Sequence, residues 1–272
     1  MYGAIIGDVV GSIYEFDNHR SKDFTLFTEK CFFTDDTVMT LAVANALLKY
    51  DRVTNDNVEA FKKTLVNEMH ELGNSYIFAG YGGRFLSWIM RRLTEPYNSF
   101  GNGSAMRVAA CVWYADSLEE AMDVAEATAA VTHNHPEGIK GARVTAGAAY
   151  LARIGASKKD IREFVEQYYV LDFTIDEIRP TYRFNETCQE TVPQAMEAFL
   201  ESESFEDCVR TAISVGGDSD TLAAIACTVG EAYYGVPDVM KIYAESYLDS
   251  TLSSILSEFE AKYPIGKDNT NG

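Results

Sequence analysis

The chain contains 272 residues, 47% of them hydrophobic and 24% charged, which is ordinary for a globular protein with one large core. Its net charge of -18 argues against a basic face for a nucleic-acid backbone, so we do not expect nucleic acid as a main partner, except as a modified substrate. The five cysteines lack CxxC spacing and are predicted to be reduced core residues. No stretch resembles a signal peptide or a membrane span, so we expect a cytoplasmic protein.

Helical periodicity dominates the sequence, and alternating strand patterns are nearly absent. Helices are predicted near residues 3–14, 35–49, 55–72, 83–92, 103–115, 118–131, 137–154, 158–168, 188–201, 205–214, 219–235, 238–247 and 249–262. Pro193 predicts a kink or a late start in the helix near 188–201. Because no linker or repeat interrupts the pattern, we predict one domain over 1–272, with a polar, disordered tail over 267–272.

Several predicted helices are apolar on nearly every side, which indicates that they form the centre of the fold. The relevant stretches are 38–48, 142–152 and 222–234. In the first helix, glycines recur at four-residue spacing, as Gly3, Gly7 and Gly11. Small residues on one face let two helix backbones approach closely, so we predict a tightly packed multi-helix bundle.

An acidic cluster, Thr34-Asp35-Asp36-Thr37, opens the helix predicted at 35–49. A single aspartate at a helix start is commonly a cap that accepts hydrogen bonds from free backbone N–H groups. One cap needs one carboxylate, whereas the second aspartate and the two hydroxyls supply more hard oxygen than capping requires. The pattern fits either a cap or half of a magnesium site.

A second cluster, Asp218-Ser219-Asp220-Thr221, follows Gly216-Gly217 and opens another apolar helix. Four carboxylates brought together by two helices would repel one another, and a hard divalent cation is the simplest compensation. The spacing does not fit an EF-hand loop. The DxDT string is similar to motifs of haloacid-dehalogenase-like phosphatases and DxD transferases, but both belong in an α/β context. We therefore predict that the two clusters share one magnesium site.

Further candidate residues lie between the predicted helices. Glu15 alone is typical of a surface glutamate, although its aromatic neighbours Tyr14 and Phe16 favour burial. The Gly-rich segment 99–107 opens a helix and fits a phosphate cradle, with a simple loop and cap as the equal alternative. A second Gly-rich loop, 80–83, is a candidate for contacting the same ligand.

Two of the four histidines, His133 and His135, come just before the helix predicted at 137–154. Zinc is disfavoured, because a His-x-His pair without a third histidine or a cysteine nearby is a poor ligand set. A hydrogen bond to a polar ligand, or a capped turn set by Pro136, fits the pattern better.

Taken in order, these motifs resemble those of the ADP-ribosylglycohydrolases, the family of dinitrogenase reductase-activating glycohydrolase and its eukaryotic relatives. The resemblance covers nearly the whole chain and rests on the ordered segments 7–15, 34–37, 80–83, 99–107, 132–133 and 216–221. It implies an all-α orthogonal multi-helix bundle. It also implies a cleft that holds two Mg²⁺ ions, with Mn²⁺ as a substitute.

The resemblance implies roles for individual residues. The implied metal ligands are Thr34, Asp35, Asp36, Asp218, Asp220 and Thr221, and the implied catalytic residues are Glu15, Asp35 and Asp218. The implied substrate contacts are Gly80, Tyr81, Gly82, Gly83, Ser99, Phe100, Gly101, Asn102, Gly103, Ser104 and His133. Phe78-Ala79 stand where many relatives carry a charged residue, so the leaving group is not specified.

The implied reaction is hydrolysis of the glycosidic bond between ADP-ribose and a modified protein side chain, through an oxocarbenium-like transition state. One alternative is a module that binds ADP-ribose without hydrolysing it. The other is a metal-dependent hydrolase of another ADP-ribosyl compound, such as O-acetyl-ADP-ribose or ADP-ribosylated nucleic acid. The expected partner is an ADP-ribosylated protein or a small ADP-ribosyl compound; the linkage and the oligomeric state stay open.

Overall fold

The computed structural model describes residues 1–264, which contain fourteen α-helices and one 3₁₀ turn. The helices are α1 (Tyr2–Gly11), α2 (Asp35–Leu48), α3 (Val58–Ser75), α4 (Gly83–Met90), α5 (Ala109–Tyr114), α6 (Leu118–Ala130), α7 (Pro136–Arg153), α8 (Lys158–Val165), α9 (Ile175–Ile178), α10 (Cys188–Glu201), α11 (Phe205–Ser214), α12 (Ser219–Tyr234), α13 (Asp238–Tyr247) and α14 (Ser250–Lys262); the 3₁₀ turn is Asn102–Ser104. Pairing of strands in this part of the chain is limited to one isolated bridge, between Gly101 and Thr187. The prediction of an all-α fold is confirmed.

Helix α12 forms the centre of the bundle. Every residue from Ser219 to Glu231 is buried, and the helix packs against α1, α7, α10 and α11. Helices α2 and α7 are also buried over most of their length, as their apolar sequences predict. The five cysteines are buried and unoxidised, in agreement with their prediction as core residues. None of the helices in 1–264 is both long and apolar enough to cross a membrane.

The glycines of α1 lie directly against the backbone of α12. A Cβ atom added to Gly7 would lie 2.4 Å from the carbonyl carbon and oxygen of Ala223, and one added to Gly11 would lie 2.5 Å from Cα of Asp220. No side-chain movement can relieve such contacts with backbone, so only glycine permits this separation of the two helices. The close approach carries the end of α1 to the start of α12.

A buried glutamate holds the other end of this helix pair. The carboxylate of Glu231, near the end of α12, accepts hydrogen bonds from the backbone N–H groups of Tyr2 and Gly3 at 3.1 and 2.9 Å. These are among the N–H groups at the start of α1 that have no partner within the helix. The bonds fix the register in which α1 lies along α12.

The prediction of one helix over 103–115 is wrong. The segment forms the 3₁₀ turn Asn102–Ser104, and an α-helix resumes only at Ala109. Polar groups from Ser104 to Met106 bond to other helices. The Ser104 hydroxyl donates to the Gly138 carbonyl at 2.8 Å, and the Met106 carbonyl accepts from the Thr40 hydroxyl at 3.3 Å. These bonds replace the regular α-helical ladder.

Two smaller differences concern helix starts. Helix α10 begins at Cys188 with Pro193 inside it, so the late start is not observed. The short helix α9 was not predicted, because four residues are too few to show a periodic pattern. Its one local signal is a capping box in which Thr174 and Glu177 bond to each other's backbone N–H groups. The predicted tail over 267–272 lies outside the described residues.

Candidate active site

The starts of α2 and α12 meet beside the end of α1, and each brings one of the two acidic clusters. Thr34 precedes α2 in an extended conformation, so Asp35 and Asp36 are the first residues of that helix. Gly216 and Gly217 have φ angles of 77° and 73°, in the left-handed region that favours glycine. The sharp turn they make delivers Asp218 as the residue that precedes α12.

Asp8, in α1, is a third component of this centre. Its carboxylate accepts hydrogen bonds from the Thr34 hydroxyl at 2.6 Å, from the Thr34 N–H at 2.9 Å and from the Thr37 N–H at 3.0 Å. Asp8 was not among the predicted site residues. The available signal was a charged residue within an otherwise apolar helix, since such a residue is rarely buried without a partner.

Threonine and asparagine side chains connect the two clusters. The Thr221 hydroxyl of α12 donates to Asp36 Oδ2 of α2 at 3.1 Å. The Asn102 amide donates to Asp218 Oδ2 at 2.6 Å, which ties the 3₁₀ turn to the start of α12. The predicted convergence of two stretches nearly two hundred residues apart is therefore observed. The Gly-rich segment 99–107 joins them through the Asn102–Asp218 hydrogen bond.

The carboxylates are too close to ionise together without a cation. One oxygen each from Asp8, Asp36 and Asp220 lie within 4.8 Å of one another, and so do oxygens from Glu15, Asp218 and Asp220. Burial raises the pKa of Asp36 and Asp220 well above the ordinary range, and the neighbouring carboxylates raise it further. The pKa of Asp35 is raised well above its ordinary range for the same two reasons.

Two buried oxygens in this cluster have no hydrogen-bond donor. They are Asp36 Oδ1 and Asp220 Oδ1, and an unpartnered buried oxygen of this kind is costly. A donor set made only of carboxylate and hydroxyl oxygens suits a hard cation of the magnesium type rather than zinc. The residues present therefore fit the predicted metal site.

Glu15 lies at the edge of the same cluster and is half-buried. Its pKa is raised to about 7, first because burial disfavours the charged form, and then because Asp218, Asp8 and Glu186 are nearby. A carboxyl group with such a pKa can hold or release a proton near neutral pH.

A cleft of about 230 Å³ opens above the carboxylates. The predicted site residues that line it are Glu15, Asp35, Asp36, Gly80, Gly82, Gly83, Ser99, Gly101, Asn102, Gly103, His133, Asp218, Asp220 and Thr221. Thr34, Tyr81, Phe100 and Ser104 do not line it. Thr34 and Tyr81 are buried, and the Ser104 hydroxyl donates to the Gly138 carbonyl. The exposed Phe100 ring packs edge-on against His135.

Several residues that line the cleft were not predicted as individual substrate contacts. Met106 and Arg107 end the predicted segment 99–107, whereas Arg84, Phe85, Tyr97 and Glu186 lie outside every predicted motif. The lining carries both signs of charge. The Arg84 guanidinium lies 4.8 Å from the centre of the Tyr97 ring. The Glu186 carbonyl accepts a hydrogen bond from the Asn102 N–H at 2.8 Å, so Glu186 lies beside the Gly-rich segment, and its carboxylate contributes to the raised pKa of Glu15. The cleft therefore combines cationic and anionic side chains above a carboxylate floor.

The two histidines of the 133–135 segment have different roles. His135 Nδ1 accepts a hydrogen bond from the Glu137 N–H at 3.1 Å, so it caps α7, and Pro136 occupies the first helical position. This matches the predicted capped turn. His133 is buried, faces the cleft, and has a pKa well below the ordinary range because of burial and of the nearby Arg107 and Arg84 charges.

The described residues form an all-α bundle with a carboxylate centre beneath a polar cleft. A family model described as ADP-ribosylglycohydrolase matches residues 1–246, so the chain belongs to that family and is a glycosidic hydrolase. A solved structure titled "ADP-ribosylglycohydrolase-related protein complex" shares the fold, with a TM-score of 0.69, 21% identity, and coverage of 97% of this chain and 95% of that one. The predicted family and bundle are confirmed.

Curated relatives are similar over most of their length. The chain is 27% identical to ADP-ribosylhydrolase ARH3 of Homo sapiens, over 90% of this chain and 86% of that protein. It is 25% identical to ADP-ribosylarginine hydrolase Tri1 of Pseudomonas putida, over 87% and 70%. It is 27% identical to ADP-ribosyl-[dinitrogen reductase] glycohydrolase of Rhodospirillum rubrum, over 76% and 70%.

Proposed function

We propose that this protein is a magnesium-dependent hydrolase that cleaves the glycosidic bond between ADP-ribose and a modified protein side chain and releases ADP-ribose. The observation that carries the proposal is the pair of buried, unpartnered oxygens, Asp36 Oδ1 and Asp220 Oδ1, at the floor of the cleft. Oxygens in such a position are stabilised when a divalent cation binds them. Family membership supplies the ADP-ribosyl chemistry.

The residues that would hold two Mg²⁺ ions, or Mn²⁺ in their place, are Thr34, Asp35, Asp36, Asp218, Asp220 and Thr221. Both threonine hydroxyls direct their protons to carboxylates, Thr34 to Asp8 and Thr221 to Asp36. Each hydroxyl oxygen therefore keeps a lone pair for a cation. When bound, the metal would supply charge stabilisation and orientation for the ribose hydroxyls and for a water molecule. Asp8 would position Thr34 from behind.

Glu15 is the residue we assign to proton transfer. It lines the cleft beside Asp218 and Asp220, and unlike the aspartates it is only half-buried, so it can exchange protons with solvent. The diphosphate of the substrate would lie against Arg84 and the N–H groups of the Gly-rich loop 80–83, which opens α4, with the segment 99–103 as the adjacent lining. The N–H groups of Ser99, Gly101 and Asn102 already donate within the protein. The scissile bond then lies between Arg84 and Glu15.

The test is a release assay in which free ADP-ribose is measured with and without magnesium. The panel comprises ADP-ribosyl-arginine, ADP-ribosyl-serine, O-acetyl-ADP-ribose and ADP-ribosylated nucleic acid, because one relative is named for an arginine linkage and another is named for none. We expect turnover of at least one protein-type linkage, its loss in EDTA, and its recovery when magnesium is added. Activity that survives prolonged chelation contradicts the metal assignment.

Substitutions separate the proposed roles. Asp35→Ala and Asp218→Ala should abolish turnover and weaken magnesium binding, whereas Glu15→Gln should abolish turnover and leave magnesium binding nearly unchanged. The exposed Asp172→Asn is the matched control and should retain full activity. Binding of ADP-ribose without turnover of any panel member identifies the alternative, a non-hydrolysing module. A cytoplasmic location stays a prediction.

A further inference from the structure

A buried arginine lies beside the cleft without an acidic partner. Arg107 is only 1% exposed, and it takes part in none of the ion pairs within residues 1–264. Its Nε has no hydrogen-bond acceptor. Its Nη2 donates to the Thr128 carbonyl at 2.8 Å and to the Thr132 hydroxyl at 2.9 Å. A buried cation is costly, so its retention at this position calls for a function.

The Thr132 hydroxyl links this guanidinium to a histidine ring. Its oxygen lies 2.7 Å from Nδ1 of His133. A guanidinium can only donate hydrogen bonds, so the hydroxyl oxygen accepts from Arg107, which occupies one of its two lone pairs and polarises the O–H bond. Among the described residues, Nδ1 of His133 is the only acceptor within reach of the hydroxyl proton, and a buried donor without an acceptor is costly, so the hydroxyl donates to Nδ1. His133 is thereby held as the neutral tautomer that carries its proton on Nε2.

The opposite nitrogen of His133 faces the Gly-rich turn of the cleft. A Cβ atom added to Gly101 or Gly103 would lie 3.4 Å from His133 Nε2. Among the described residues, Nε2 has no hydrogen-bond partner of its own. Burial together with the Arg107 and Arg84 charges lowers the pKa of His133 well below the ordinary range, so the ring is neutral at neutral pH. The N–H on Nε2 is therefore available to a ligand.

We propose that Arg107 is a positioning residue: through the Thr132 hydroxyl it fixes the tautomer and the orientation of His133, so that Nε2–H donates to a phosphate oxygen of bound ADP-ribose. The ligand half of this proposal rests on the proposed function; the tautomer half does not. A neutral donor in a fixed orientation recognises the diphosphate without the loss of rotational freedom that a mobile side chain would suffer.

The tautomer is measurable by correlating the ring nitrogens and protons of the histidines by NMR at pH 7.5, without substrate. The chain has four histidines, so a His133→Ala spectrum assigns the signals. We expect protonated Nε2 and unprotonated Nδ1 for His133. In Arg107→Met the guanidinium no longer occupies a lone pair of the hydroxyl or polarises its O–H bond, so the preference for donation to Nδ1 weakens and a measurable fraction of the Nδ1–H tautomer should appear. A protonated Nδ1 in the unmodified protein overturns the proposal.

Binding of ADP-ribose in excess magnesium, measured by calorimetry, tests the consequence. Thr132→Val removes the hydroxyl at nearly constant volume and should weaken binding about fivefold, whereas Thr132→Ser should bind within about twofold of the unmodified protein. In a His133→Ala background, Thr132→Val should have no further effect, because the hydroxyl acts only through the ring. Thermal midpoints of all variants are measured alongside.

Three results would contradict the proposal that Arg107 positions His133 through the Thr132 hydroxyl. They are unchanged binding in Thr132→Val, equal losses in the valine and serine variants, and a Thr132→Val loss that persists without His133. If Arg107→Met does not fold, Thr132→Val and Thr132→Ser still test the proposal, because the Thr132 hydroxyl is the link between the Arg107 guanidinium and the His133 ring. If the unmodified protein neither binds ADP-ribose nor turns over the panel, the proposed function fails, while the NMR result still decides the tautomer.

Discussion

The substitution Asp220→Asn should stabilise the protein in the absence of metal and remove its response to magnesium. Asp220 is the residue shared by both groups of convergent carboxylates, and one of its oxygens is buried without a donor. The side-chain amide of the introduced asparagine could also donate a hydrogen bond to the adjacent Asp218 carboxylate. The change therefore removes one charge from a repulsive cluster and adds a favourable hydrogen bond.

The magnitude follows from the spacing of the oxygens. Two unit charges 4.8 Å apart repel by about 3.5 kcal/mol at an effective dielectric constant of 20. Proton uptake by the cluster already relieves part of this repulsion, because burial raises the pKa of Asp36 and Asp220. We expect a net gain of about 2 kcal/mol at pH 8, which corresponds to a rise of about 4–8 °C in the thermal midpoint.

The assay is thermal unfolding at pH 8, in EDTA and in excess magnesium, with the exposed Asp172→Asn as the control. The unmodified protein and the control should both gain stability when magnesium is added, since the ion binds only the folded state. Asp220→Asn should start from a higher midpoint in EDTA and gain little from magnesium. A lower midpoint in EDTA, together with an undiminished magnesium response, would refute the repulsive carboxylate centre.

Three further predictions concern packing, pH and the leaving group. Gly7→Ala should destabilise the protein by about 1–3 kcal/mol in chemical denaturation, because the new Cβ meets the Ala223 backbone. The control Gly83→Ala, whose Cβ meets nothing within 4 Å, should leave the stability unchanged. Equal effects of the two substitutions would contradict the close approach of α1 to α12. The pKa of Asp36 and Asp220 is raised in the folded state, so the stability they contribute is present below about pH 4 and is lost as pH rises through their folded pKa. The gain in thermal midpoint from magnesium should accordingly grow between pH 5 and 8, and a pH-independent gain would argue against these groups as ligands. Glu186→Gln should slow release from ADP-ribosyl-arginine about two- to fivefold more than release from ADP-ribosyl-serine, because the Glu186 carboxylate attracts the cationic guanidinium of the arginine leaving group. Equal slowing of the two substrates in paired assays would exclude a role of Glu186 in selecting the leaving group.

Much of the fold could be predicted from local patterns. Helices α2, α10, α11 and α13 begin within a residue of the predicted positions, because hydrophobic periodicity and capping residues act over one or two turns. The break in the helix predicted at 103–115 could not be predicted from local patterns, because the polar groups that interrupt this helix bond to residues far away in the chain.

The candidate site divides in the same way. The two aspartate pairs could be recognised because each supplies more carboxylate than a helix cap needs. Asp8 and Glu186 carry no such local excess, and Arg107, although it ends the predicted segment 99–107, has no local sign of its hydrogen-bond partners. Their positions in the site depend on which distant residue each one meets.

The sequence by itself determined the positions of most helices, the acidic residues at the starts of α2 and α12, and the glycine spacing of α1. These features depend on residues within a turn or two of each other. The tertiary structure alone decided that Asp8 joins the carboxylate centre and that Arg107 reaches His133 through a hydroxyl. A buried polar group is stabilised by whichever partner the packing brings within 3 Å or so, and that partner is not encoded next to it in the chain.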